Sequence, residues 1–156
     1  MRIYPASRNA IAAFCVLLSL AISGCAVRFA ADYDEIFDKA VTDTQKKTYA
    51  LLVMLADPTS NARRYAVAKP LYVDILSDVQ SLKLRAEVNN AGGLNDITVQ
   101  QIALIDDSIK KLQALHEAKP NGMNIAFVSP AQTSIDQQFR AILTWENAKK
   151  RGATQK

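Results

Sequence analysis

The sequence predicts an all-α fold, an antiparallel up-down four-helix bundle. Three observations carry this. The chain has 156 residues, 49% apolar and 22% charged, which suits one globular domain and is too apolar for a disordered chain. Four stretches repeat apolar residues at steps of three and four, the signature of a helix with one buried face. The stretches are separated by Pro58, Gly92-Gly93 and Pro120-Asn121-Gly122, and short connections favour antiparallel neighbours. The only run resembling a strand, Asn124–Val128, is short and isolated, and its Ile125 and Phe127 are expected to plug one end of the bundle.

Helix 1 is expected from Asp32 to Ala56 with an inner stripe of Tyr33, Phe37, Ala40, Thr44, Thr48, Leu51 and Leu55. Asp32, Asp34, Glu35 and Asp38 favour its positive N-terminal dipole. Helix 2, Asn61 to Val88, has the stripe Tyr65, Ala68, Tyr72, Ile75, Val79, Leu82 and Ala86. Pro70 either kinks it or begins a helix near Lys69, and the unbroken register favours the kink. Helix 3 is expected to open on a capping box at Thr98-Val99-Gln100-Gln101, with Ile102, Ile105, Ile109, Leu112 and Leu115 inward. Helix 4 is expected to open on Ser129-Pro130-Ala131-Gln132 and to bury Ala131, Ile135, Phe139, Ile142 and Trp145. Basic Lys149-Lys150-Arg151 suits its C-terminus. The bundle should span 32–152, with 153–156 frayed. Up-down topology brings the acidic start of helix 1 to this basic tail.

The N-terminus is of a different kind. Arg2 and Arg8 precede the apolar run Ala10 to Ile22, about 20 Å as a helix and too short to span a bilayer. A basic start and short apolar run are the anatomy of a secretory signal. Ile22-Ser23-Gly24-Cys25 resembles the lipobox of bacterial lipoproteins, an aliphatic and two small residues before a Cys. The resemblance implies a signal peptide over 1–24, cleavage after Gly24 and acylation of Cys25 by palmitate-type chains. It also implies a tether over 25–31 and anchoring to a bacterial membrane. Ala26 is not the Asp that favours inner-membrane retention, so the periplasmic face of the outer membrane is expected. The strings ADYDEIFDKAV and ILTWENAKKR resemble small uncharacterised helical lipoproteins of proteobacteria, which imply no activity. Two cysteines are present. Cys15 would leave with the signal and Cys25 would carry lipid, so the folded body would hold no thiol. Losing Arg2 and Arg8 reduces 19 basic against 15 acidic residues to 17 against 15, or +2, which gives no case for nucleic-acid binding.

Candidate residues for chemistry are few. His116 is the only histidine, which excludes a multi-His metal site, and it is expected to be partly exposed near the end of helix 3. No nucleophile, haem or metal motif accompanies it, so neither enzyme activity, a cofactor nor a metal is expected. Asp106-Asp107 and Asp34-Glu35 are neighbours about 100° apart on a helix and form no carboxylate pair. Arg63, Arg64 and Lys69 form a basic cluster that would suit an acidic envelope protein or cell-wall polymer. Tyr65, Tyr72, Phe139 and Trp145 would line a cleft if the bundle carried a small ligand. The expected function is a non-enzymatic interaction or assembly module on the membrane, with a small-ligand carrier or sensor as the alternative.

Overall fold

The computed structural model describes residues 33–89 and 97–153. It is a four-helix bundle: α1 (Glu35–Ala56), α2 (Tyr65–Asn89), α3 (Ile97–Glu117) and α4 (Ile125–Ala153), with a single 3-10 turn at Asn61–Arg63 before α2. No strand occurs among the described residues. Each helix packs on two neighbours, α1 on α2 and α4, α3 on α2 and α4. Diagonal pairs come nowhere within 8 Å between Cα atoms. Both termini of the described chain lie at one end, here the terminal end; the α1–α2 and α3–α4 connections form the opposite, turn end. None of the described helices is long and apolar enough to cross a membrane. The leader, Cys25 and its preceding Ile22, Ser23 and Gly24, the tether, Asp32, the Gly92-Gly93 break and the tail 154–156 lie outside the described residues.

The core follows the periodicity. All seven stripe positions of α2 are buried, from Tyr65 to Ala86. In α1 the stripe widens to include Val41 and Leu52. Thr44 and Thr48 are also buried, and each hydroxyl donates to the carbonyl four residues back, Ala40 and Thr44, at 2.8 Å. That bond makes a buried hydroxyl tolerable within an apolar stripe. α2 runs through Pro70 as one helix. Pro70 deprives the Ala66 carbonyl of its usual donor, but both residues are exposed, so water replaces the bond.

Four expectations are corrected. α1 starts at Glu35, not Asp32, because Asp34 is the N-cap and accepts from the Ile36 and Phe37 amides. α3 starts at Ile97, so Thr98 is a buried first-turn residue rather than a cap. α4 begins at Ile125, not at Ser129. Asn124 caps it, its Oδ1 accepting from the Ala126 amide at 2.9 Å, and Pro130 sits inside the helix opposite the exposed Ala126 carbonyl. Consequently Ile125 and Phe127 turn outward, and Met123 and Val128, 1% and 0% exposed, close the turn end.

Candidate functional site

The inner stripes end in polar residues where sequence reasoning places apolar ones. In α3 the steps from Ile102 run three, four, three, four to position 116, so His116 is fully buried and Leu115 faces outward. The partly exposed histidine expected from sequence is therefore a core residue. Its Nε2 lies 2.7 Å from the Arg63 carbonyl, which can only accept, so Nε2 carries a proton. In the neutral ring, Nδ1 then accepts from the Tyr72 hydroxyl at 3.3 Å. Tyr65 and Tyr72 stand edge-on to the imidazole, with centroids 5.5 and 5.9 Å away. Gln113 donates to the Tyr65 hydroxyl at 3.2 Å. Burial pushes the Tyr72 phenol well above its ordinary range, with Tyr65 adding to the effect, so the hydroxyl remains a donor.

Arg63 belongs to this knot. Its guanidinium donates to the Met123 carbonyl at 2.8 Å, and the Tyr65 amide donates to the Pro120 carbonyl at 3.0 Å. Gly122 has φ +140, a backbone conformation that favours glycine, and a Cβ placed there would come within 3.8 Å of the Arg63 side chain. The cluster thus clips the 3-10 turn, α2, α3 and the α3–α4 connection together. Both ring nitrogens of His116 are engaged by protein.

A second polar group occupies the terminal end. Asp34 accepts two bonds from Arg85, at 2.6 and 2.9 Å, and one from Asn89 at 2.6 Å. The Arg85 guanidinium and the capping Phe37 amide hold the Asp34 carboxyl down at about 2, against the opposing effect of burial. The Tyr33 hydroxyl donates to Asp38 at 3.0 Å, and the Lys150 ammonium lies 5.5 Å from the Tyr33 ring centroid. The tail therefore does reach the start of α1, while Asp34 turns to α2 instead. In α4, Glu146 takes the buried position expected of Trp145. It is 1% exposed and paired at 2.8 Å with Lys149; Trp145 is half-buried.

The Asp34 arrangement predicts a pH dependence. A carboxyl held below its unfolded value stabilises the fold above that value, and the benefit fades as pH falls from about 4 towards 2. Asp34→Asn keeps a capping oxygen but loses the charge. It should cost about 1–2 kcal/mol at neutral pH, discounted for the partial exposure of Arg85, and almost nothing near pH 2. Urea unfolding at both pH values measures this; an equal cost at both would contradict it.

Between α1 and α2 runs an open groove of about 500 Å³, lined by Ile36, Ala40, Asp43, Thr44, Lys47, Asp78, Ser81, Leu82 and Arg85. Lys47 bridges Asp74 and Asp78 at 2.9 and 2.8 Å, and these carboxylates raise its ammonium to about 12. Of the residues expected to line a cleft, only Tyr65 and Tyr72 come together, with ring centroids 6.4 Å apart. Tyr65 and Tyr72 lie in the turn-end knot and Phe139 in the core. Trp145 lies twenty residues along α4 from Ile125, about 30 Å away. Of the basic cluster, Arg63 is committed to the fold, whereas Arg64 and Lys69 remain exposed. Asp106 pairs with Lys110 and Asp107 with Lys111, at 2.6 Å each. Among the described residues no group of three His, Cys, Asp or Glu is placed to hold a metal.

The fold defines the chain as a helical bundle with an interior filled by side chains, buried polar knots at its two ends and a shallow groove on one side. No family model, curated protein or solved structure matches it.

Proposed function

We propose that the chain is a lipid-anchored envelope protein whose bundle serves as a non-enzymatic interaction or assembly module. The observation that carries this reading is the Ile22-Ser23-Gly24-Cys25 string directly after a short apolar run and a basic start. Acyl chains on Cys25 would hold the protein on the periplasmic face of the outer membrane. The bundle's packed interior supports a body that presents surfaces, with exposed Arg64 and Lys69 at the turn end offered to an acidic envelope protein or cell-wall polymer.

The groove between α1 and α2 favours one alternative, a small-ligand carrier. Its apolar floor would hold a slender ligand beside Ala40, Thr44 and Leu82. A thermal-shift screen separates the two readings, because a ligand that binds the folded state raises its melting temperature. The module reading expects no shift from small molecules. A ligand whose stabilisation disappears in Ala40→Phe, which fills the groove, would replace it with the carrier reading.

A further inference from the structure

Charge divides the two ends of the bundle more clearly than hydrophobicity does. Exposed apolar side chains stand at both ends. Along the helices most lysines and arginines pair with a carboxylate, as Lys47 does with Asp74 and Asp78 and Lys110 with Asp106. At the terminal end Arg85 and Lys149 are paired, and Lys150 and Arg151 have partners of their own. The turn end differs. Arg64, Lys69 and Lys119 have no carboxylate within 4 Å among the described residues. The Arg64 side chain donates only to the neutral Asn61 amide, at 3.0 Å, and the Lys119 ammonium lies 4.2 Å from the Phe127 ring centroid. Of the acids here, Asp57 accepts two bonds from Thr59 and exposed Glu117 offsets one cation. Outside the turn end, only Lys83 has no polar or ring partner among the described residues.

These cations share one surface. The Tyr65 amide donates to the Pro120 carbonyl at 3.0 Å, which sets Arg64 at the head of α2 beside Lys119 just past α3. Lys69 stands on the α3-facing side of α2, eleven residues from the Gln80 that bonds Asp106. The Gln138–Ser108 bond marks the faces that α3 and α4 turn to each other. Leu115, seven residues from Ser108, and Phe127, eleven from Gln138, lie on those faces, so both border Lys119. Each is 45% exposed. Beneath them the His116 knot holds the backbone in place, so little ordering is needed when a partner arrives.

We propose that the turn end is a docking surface for an acidic protein segment that carries large apolar side chains. Its carboxylates pair with Arg64, Lys69 and Lys119, and an adjoining apolar side chain seats on Phe127 and Leu115. Charge complementarity selects the sign of the partner. The apolar border selects a peptide over a wall polymer, whose anionic groups sit on hydrophilic sugar or polyol units. A lipid surface is disfavoured because the segment leading to Cys25 joins the opposite end. The inference rests on the interaction-module reading and names its partner class.

The test uses the full chain in mild detergent, a fluorescein-labelled peptide of four Glu-Glu-Leu repeats, and fluorescence anisotropy. The peptide should bind saturably at low salt and be released as salt rises. Arg64→Glu with Lys119→Glu should weaken binding about tenfold or more. Phe127→Ser should weaken it several-fold, as should a peptide with Ser in place of Leu. Lys83→Glu, a charge reversal away from the turn end, should leave it unchanged. None of these side chains is buried, so circular dichroism should match throughout. No binding by the unsubstituted chain would overturn the proposal, as would undiminished binding by the Arg64/Lys119 variant or an equal loss with Lys83→Glu. Sedimentation with purified peptidoglycan and flotation with phosphatidylglycerol vesicles run in parallel. Tighter binding to either one that depends on Arg64 and Lys119 would also overturn it, by giving the surface another occupant. Fatty-acid labelling of Cys25 is read separately, so a failed peptide beside a labelled Cys25 removes this partner and leaves the anchored reading standing.

Discussion

His116→Ala should lower the unfolding free energy by about 3–4 kcal/mol. Two effects add. Removing a fully buried ring leaves a cavity whose lining loses its contacts. The Arg63 carbonyl and the Tyr72 hydroxyl, 2.7 and 3.3 Å from the ring nitrogens, also lose their partners, and a buried polar group without a partner costs about 1–3 kcal/mol. For a domain of this size the melting temperature should fall by roughly 10–15 °C. Tyr72→Phe removes only one of the bonds and should cost about 1–2 kcal/mol. His116→Gln, which can keep a donor towards Arg63, should fall between the two. A loss below about 1 kcal/mol for His116→Ala in chemical denaturation would show that the knot does not clip the turn end.

The second large effect belongs to the other end. Lys149→Met should destabilise by about 2–4 kcal/mol, because it removes a cation 2.8 Å from a carboxylate that is 1% exposed. Breaking one half of a buried pair is costlier than removing both. The double variant Glu146→Gln with Lys149→Met should therefore be more stable than Lys149→Met alone. A double-mutant cycle measures the coupling directly. Additive losses would mean that the two side chains are adjacent without supporting each other.

These two clusters show where the sequence is legible and where it is not. The stripe from Tyr65 to Ala86 can be read because every member is apolar or small and steps regularly around one face. His116 and Glu146 obey the same spacing, but their polarity argues for the surface. Leu115 and Trp145 are the more attractive residues by type, yet they lie about 100° from the buried direction. Spacing holds the better information, since a buried polar side chain is acceptable wherever another segment supplies a partner. For His116 and Asp34 those partners are distant in the chain, Arg63 53 residues from His116 and Arg85 51 residues from Asp34, whereas Glu146 pairs with Lys149 only three residues on. Local pattern contains nothing about the two distant pairs. The start of α4 is obscured for a different reason. Pro130 resembles a first-turn proline, yet a proline five residues into a helix is tolerated where the carbonyl it deprives faces water. The expected cleft does not form because Phe139 and Trp145 stand at other heights of the bundle than Tyr65 and Tyr72, and Trp145 also lies off the buried face.

The groove and the two ends also divide the possible roles of this surface. The turn end is tied by Arg63, His116 and Gly122 and leaves Arg64 and Lys69 outside. The terminal end joins the bundle to the segment leading to Cys25. Anchoring through that segment, as proposed, would set which end of the bundle faces lipid, so the reading of the turn-end surface depends on it. The direct measurement is metabolic labelling with an alkyne fatty acid in a bacterial host, comparing the full chain with Cys25→Ser, followed by membrane fractionation. Label is expected on the full chain, with its recovery in the membranes, and none with Cys25→Ser. An unlabelled full chain, or label that persists in Cys25→Ser, would contradict lipid anchoring at this cysteine.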